Sequence, residues 1–372
     1  MNNHQAKTQQ QGMTLIELMI AMVLGLLISA AVIQLFVNNK QTYRITQSQT
    51  QLQNNARFAL SELSKTIRSS GFTGCRAVER INVHVIASAP ASAAMEASTT
   101  ITGNDSWPAN TTSNNFGLVK EGSDVINVQR AESCGATLEG DLASANADIK
   151  VHYPNTCNLQ ANQVLMISDC TDAHIFKTTG VTNIDADSKQ KIVYAVNNDS
   201  STKVNEADYF CKGYPDPKAS GSCTSLGKDD KLYGTDAEIY NFISESYFIR
   251  DDSNGNAALW VYNNNSVKDT ANPGTLNPRI MVEGISDMQI DYGVDDNNDD
   301  VIDSYKTAQT VTTNDEWHKV ISAKLSLLVE TQETNLRLND HELTYNGVTT
   351  TEDDGRIRRI YNTTIGIRNR VK

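Results

Sequence analysis

Apolar residues crowd the start of this chain. From Met13 to Val37 the sequence is almost wholly hydrophobic, broken mainly by Thr14, Glu17, Gly25, Ser29 and Gln34. At the helical rise this stretch reaches about 37 Å, enough to cross a hydrocarbon core of about 30 Å. Nothing comparable follows, so one membrane crossing is the limit. Beyond it the helical pattern continues in amphipathic form. Ile45, Leu52, Ala56, Ala59, Leu63 and Ile67 recur at helical spacings, with polar Gln, Asn, Ser and Arg between them. No Gly or Pro interrupts residues 26 to 70, and Gly71 supplies a stop. The pattern predicts one helix of more than fifty residues whose second half lays an apolar stripe on a globular head. An independent coiled coil fits less well, because the stripe is short and lacks ordered flanking charges.

After Cys75 the period falls to two. Strands are expected at Asp124–Val128, Val164–Ile167, Ile321–Val329 and Tyr361–Ile367. Tyr247–Arg250 and Ala258–Tyr262 flank Asn254-Gly255, a strong hairpin signal. Ser88 to Asn115, rich in Ala, Ser, Thr and Asn, reads as an exposed insertion. With no periodic helices between the strands, the sheet should be largely antiparallel. The expected class is α+β, a long N-terminal helix on a β-rich head, divided as residues 1–12, 13–37, 38–74 and 75–372.

Composition narrows the function classes. The net charge is −12, from 32 basic and 44 acidic side chains, which disfavours direct binding of nucleic acid by the bulk of the chain. Arg356, Arg358, Arg359, Arg368, Arg370 and Lys372 are the only candidates for a basic patch, and they read as a solvated strand face. The cysteines, Cys75, Cys134, Cys157, Cys170, Cys211 and Cys223, form no CxxC pair and have no His at zinc spacing. Beside a membrane-targeting segment they read as disulfides made in an oxidising compartment, with buried free thiols the alternative. Sequence proximity favours Cys157–Cys170 and Cys211–Cys223, leaving Cys75 with Cys134.

Glu17 is the chemical oddity of the apolar segment. A carboxylate there costs several kcal/mol, roughly 2.5–3.5, unless it finds a partner. A cleaved secretory signal would want a basic start, a shorter apolar core and a small-residue site such as Ser29-Ala30-Ala31. A plain signal anchor leaves Glu17 unexplained, and Lys7 before the span and Lys40 and Arg44 after it leave orientation open. Cleavage between Gly12 and Met13 accounts for it. The new α-amino group then lies four residues before Glu17, and a terminus on one subunit can neutralise this carboxylate on its neighbour.

Gly12-Met13-Thr14-Leu15-Ile16-Glu17-Leu18 resembles the class III prepilin signal of type IV pilins and type II secretion pseudopilins. The resemblance implies that a prepilin peptidase cuts after the glycine and methylates the new N-terminus. Met13 stands where the family usually has Phe, and no proline precedes Pro90, so the kink of many major pilins is missing. Further stretches resemble the PilW-type minor pilins, counterparts of the J-type pseudopilins. They include Gly71-Phe72-Thr73-Gly74-Cys75, Ser168-Asp169-Cys170, Val282-Glu283-Gly284-Ile285, Ile290-Asp291-Tyr292-Gly293-Val294-Asp295 and Ile367-Arg368-Asn369-Arg370. This resemblance implies a minor pilin anchored in the inner membrane with its head in the periplasm, and later carried to the cell surface in a pilus. Its partners would be the major pilin, other minor pilins, the prepilin peptidase and the inner-membrane assembly platform. Priming of assembly, a place at the tip, twitching motility, adhesion and DNA uptake follow as expectations. A type II secretion pseudopilin and a tip adhesin with a ligand-binding head are the rivals.

An acidic loop adds one candidate ligand. Asp295, Asn297, Asp299 and Asp303 occupy positions one, three, five and nine of a calcium loop, with the Val301 carbonyl at position seven. Asp300 stands where the turn glycine belongs and Lys306 where the bidentate Glu belongs. A solvated Asp/Asn turn is the alternative. No catalytic motif appears: His341-Glu342 lacks the second His of a zinc protease helix, and there is no GxSxG, P-loop or dinucleotide fingerprint. Enzymatic activity is not expected.

Overall fold

A computed structural model describes residues 14–88, 95–105, 119–185, 188–196, 204–210, 230–265, 278–337 and 341–370. Its first element is the expected long helix, α1 (Leu15–Arg68), ended by Ser69 and Ser70, with Gly71 at φ +72° turning the chain away. Strands follow at β1 (Asn82–Val85), β2 (Ile101–Asn104), β3 (Val125–Thr137), β4 (Ile149–His152), β5 (Val164–Ser168) and β6 (Asp172–Lys177). Next come β7 (Gly180–Asp185), β8 (Lys189–Val193), β9 (Glu238–Asp251), β10 (Ala257–Asn263), β11 (Arg279–Glu283), β12 (Ile285–Val294) and β13 (Ser304–Lys306). A short helix, α2 (Ala308–Thr313), precedes β14 (Val320–Glu330), β15 (His341–Tyr345), β16 (Val348–Glu352) and β17 (Arg358–Gly366).

Two sheets carry the head. The larger runs β1-β6-β5-β9-β10-β11, with β3 along the opposite edge of β9 and β2 on β3. The second runs β13-β12-β14-β17, antiparallel throughout. A three-stranded sheet β4-β8-β7 and the hairpin β15–β16 complete the described strands. Among these ladders only β1–β6 is parallel, which meets the antiparallel expectation. The hairpin expected at Asn254-Gly255 joins β9 to β10, and Gly255 at φ +78° supplies the left-handed residue of its turn.

The helix stripe closes the main core. Leu52, Ala56, Ala59, Leu63 and Ile67 are buried against both sheets, and the two alanines let the helix approach closely. Beneath them β14 alternates as its sequence requires. Ala323, Leu325, Leu327 and Val329 are fully buried, while Lys324 is exposed and Ser326 half-buried. Each buried Leu or Val contributes about 1.5–3 kcal/mol relative to exposure, so this seam fixes how α1 sits on the head. Polar contacts set its register. Arg44 pairs with Glu333 at 2.6 Å, Ser48 donates to the same carboxylate, and the Asn55 amide donates to the Glu283 carbonyl.

Three expectations need correction. Residues 95–105 are not an exposed insertion: Met95 and Ile101 lie in the core, and Ile101–Asn104 is a strand paired to β3. The rest of that stretch up to Asn115 is outside the described residues, apart from Ser88. The disulfides are Cys75–Cys170 and Cys134–Cys157, with Cα separations of 5.5 and 4.8 Å, not Cys157–Cys170 and Cys75–Cys134. Proximity in sequence misled because β5 lies between Cys157 and Cys170. Its five residues carry the second thiol about 17 Å away, beyond disulfide reach. Cys157 instead lies beside β3, where the Thr156 N–H donates to the Cys134 carbonyl. Cys211 and Cys223 are outside the described residues.

The C-terminal arginines are the third correction, since they do not form one solvated face. Arg356 and Arg358 both pair with buried Glu330, and Arg358 also holds Asp354 at 2.6 Å. Buried Arg370 donates to the Trp317 carbonyl, the Thr100 hydroxyl and the Ala97 carbonyl, and burial pushes its guanidinium down to about 10. Arg359 and Arg368 remain exposed, and Lys372 is outside the described residues.

Candidate functional site

The sequence places the assembly site at the start of α1. Gly12 and Met13 are outside the described residues, which begin at Thr14. Thr14 caps the helix, and Glu17 answers it. The Glu17 N–H donates to the Thr14 hydroxyl at 3.3 Å, while the Thr14 N–H and hydroxyl donate to Glu17 Oε2 at 2.9 and 3.0 Å. This reciprocal arrangement satisfies helix-start donors that have no partner inside the helix. The signal was legible as Thr14-x-x-Glu17, and a reading centred on the membrane cost of the carboxylate passes over it. Both contacts fall on Oε2, so Oε1 stays available to a cation from outside the chain.

From Leu15 to Lys40 every residue of α1 is exposed. Large apolar side chains such as Leu15, Phe36 and Ile28 are 66–78% exposed, so no part of the described head covers this surface. An all-round apolar helix needs lipid or other helices around it. One carboxylate at its N-terminal end, able to meet a cation, adds a directional contact to that non-directional one.

Comparison with protein families meets this geometry at both ends of the chain. Residues 7–33 match the prokaryotic N-terminal methylation motif, and residues 246–369 match the family described as Type IV Pilus-assembly protein W. Together the two matches support a type IV pilus minor pilin of the PilW type. Searches of curated proteins and of solved structures gave no match. The methylation motif and the exposed apolar start of α1 support a membrane-anchored pilin, and the assembly family implies contact with other pilus components.

The W-type match contains the acidic loop between β12 and β13. Here Asp295 is buried and accepts the N–H groups of Asp299 and Asp300 at 3.2 and 2.9 Å. Burial pushes this carboxyl up, but the backbone N–H groups of residues 297 to 300 outweigh it and hold it below its ordinary value. Asn297 accepts from the Asp299 N–H, Asp299 from the Val301 N–H, and Asp303 from the Asp296 N–H. Asn298 and Asp300 adopt φ of 61° and 64°, so Asp300 takes the left-handed backbone of the glycine it replaces. Lys306 holds Asp296 and Glu316 at 3.2 and 2.9 Å instead of facing a metal. Among the described residues no group of three or more His, Cys, Asp or Glu side chains is arranged to hold a metal. The loop curls back on itself, with its carboxylates capping its own backbone.

A second charged cluster was not foreseen. Lys231 lies 2.5 Å from Asp169 and 2.9 Å from Asp172, all three side chains largely buried. The His84 and His174 rings lie beside them, tilted by 32° with centroids 4.6 Å apart, and His174 Nδ1 bonds the Tyr233 hydroxyl at 2.6 Å. Asp169 and Asp172 bracket the turn that carries Cys170, whereas Lys231 arrives from far along the chain and has no local sequence signal. The ammonium offsets the charge of one of its two carboxylates and holds both, which suits a structural tie at the β5–β6 end of the head.

Proposed function

We propose that this minor pilin is inserted in the inner membrane with its head in the periplasm and is cut between Gly12 and Met13 by a prepilin peptidase. The assembly platform then transfers it into a pilus with the major pilin and other minor pilins. There it primes assembly and occupies the tip, and through the pilus it supports twitching motility, adhesion and DNA uptake. Its part is structural, not catalytic. The observation that carries this reading is Glu17, a carboxylate with one oxygen uncommitted on the fully exposed apolar first half of α1, within the methylation-motif match. Glu17→Ala leaves a neighbour's α-amino group without its counter-charge in an apolar interior. Losing one partner of such a pair costs about 3–5 kcal/mol, so incorporation into sheared pili should fall more than about a hundredfold. Processing should persist, because the cut lies before Met13. Wild-type incorporation of Glu17→Ala would overturn the role.

We also propose that the acidic loop takes calcium through Asp295, Asn297, Asp299, Asp303 and the Val301 carbonyl. The left-handed backbone at Asn298 and Asp300 and the hard oxygen donors support this reading. Titrating the chelated full-length protein in detergent with millimolar calcium should release heat, and Asp295→Asn should abolish it. The absence of heat in the unaltered protein would remove the site.

A further inference from the structure

Among the described residues, the last strand of the second sheet has an open edge. On its inner edge β17 pairs with β14 from Ser322↔Gly366 to Glu330↔Arg358 without a register shift. The Ile367 N–H donates to the Ile321 carbonyl, and the Thr331 N–H to the Ile357 carbonyl. These two bonds fix the parity of the ladder. Residues 359, 361, 363 and 365 turn their backbone groups toward β14, so residues 360, 362 and 364 turn theirs outward. Among the described residues, no hydrogen bond reaches the backbone N–H or C=O of Ile360, Asn362 or Thr364.

Edge strands are usually guarded by shortness, bulges, proline or charge. The other strands at sheet edges here follow that rule. β1, β2, β4, β11 and β13 have three to five residues, and β3, β7 and β11 are broken by register shifts. β17 departs from it, with nine residues, no bulge and no proline, and an Ile-Tyr-Asn-Thr-Thr-Ile centre. Its charges sit at the ends. Exposed Arg359 flanks one end, and exposed Arg368 flanks the other beside Arg68 and Lys65 of α1. The Arg368 N–H donates to the Arg68 carbonyl, and none of these four cations is in an ion pair among the described residues.

We propose that β17 is a docking edge that receives an extended, acidic segment of a different pilus subunit as an added strand. Main-chain bonds to residues 360, 362 and 364 would supply affinity, and carboxylates meeting Arg359, Arg368 and Arg68 would fix direction. A second copy offering its own β17 is a poorer occupant, because Arg358–Gly366 contains no acidic residue to match those cations. The inference rests on the pilus reading and goes beyond it by assigning the surface.

The test uses the full-length chain in cells that make pili. Asn362→Pro deletes an outward N–H and leaves the β14 ladder intact, since proline is tolerated at such an edge position. Asn362→Ala keeps the N–H. A benzoylphenylalanine at position 364 reports contact, with one at position 350 on the β15–β16 hairpin as control. Irradiation should join position 364 to an Asp- or Glu-bearing segment of another pilus subunit, identified by peptide mapping. Asn362→Pro should lower that yield about tenfold or more, and Asn362→Ala should leave it nearly unchanged. A crosslink to a second copy or to lipid alone, no crosslink at all, or equal yields from the two variants would overturn the proposal. If Asn362→Pro does not fold, the crosslink partner at position 364 decides alone. A chain found unprocessed and absent from pili would defeat the functional reading, whereas a processed, assembled chain indifferent to Asn362→Pro would defeat the edge alone.

Discussion

Lys231→Met should lower the stability of the head by about 3–5 kcal/mol, the usual cost of removing one partner from a buried ionic group. In the native protein the ammonium meets Asp169 at 2.5 Å, Asp172 at 2.9 Å and the Thr171 hydroxyl at 2.9 Å, with the Tyr233 ring centroid 5.2 Å away. Methionine matches its length but offers no charge. Asp169 and Asp172 would then share a poorly hydrated site without a counter-ion, and like charges there repel. Adding Asp169→Asn and Asp172→Asn should recover most of the loss, because the penalty comes from the stranded carboxylates. Unfolding in detergent with the disulfides intact measures this; a loss below about 1 kcal/mol would mean that water reaches the cluster and screens it.

The same cluster sets a pH dependence whose sign follows from its groups. Burial pushes the Asp169 carboxyl up, but the Lys231 ammonium, the Asp172 N–H and the Thr171 hydroxyl and N–H outweigh it and hold the group at about 2. The folded value lies below the unfolded one. Its stabilising contribution is therefore complete above the ordinary 3.8 and fades as pH falls toward 2. His84 behaves likewise at a higher pH. Burial lowers its pKa below 6.5, Asp172 opposes that, and Lys231 adds to it. Its contribution is present above 6.5 and is lost as acidification forces a proton onto the buried ring.

What could be read from the linear sequence was what local physics decides. The 3.6-residue period and the lack of breakers specify α1, two-residue alternation specifies β14, and Asn254-Gly255 specifies the β9–β10 turn. Glu17 declared itself because a carboxylate is costly in an apolar helix. The illegible parts depend on contacts distant in sequence. Cys75 meets Cys170 only because β5 and β6 bring their turn back to the segment after α1. Lys231 meets Asp169 for a similar reason, and Arg370 is buried because the chain end folds under Trp317 and Thr100. Arginine spacing near the C-terminus indicated a solvated face, yet buried Glu330 captures Arg356 and Arg358.

The largest effect on assembly should come from the leader junction. Gly12 is the small residue that the prepilin resemblance places before the cut, and a β-branched side chain there would obstruct a site that needs close backbone approach. Gly12→Val should leave the chain anchored in the membrane with residues 1–12 attached. Without a free α-amino group beside Thr14, the terminus has nothing to offer a neighbour's Glu17, so incorporation into pili should be essentially abolished while the head folds normally. Thermal unfolding of the head checks the second half of that statement.

Mass spectrometry of the N-terminal peptide of the unaltered protein, taken from sheared pili and membranes, is the most direct test of the processing on which the assembly role depends. The expected peptide begins with N-methylated Met13 and carries Glu17 as its fifth residue. A peptide still starting at Met1, or one beginning near Ala31, would contradict it.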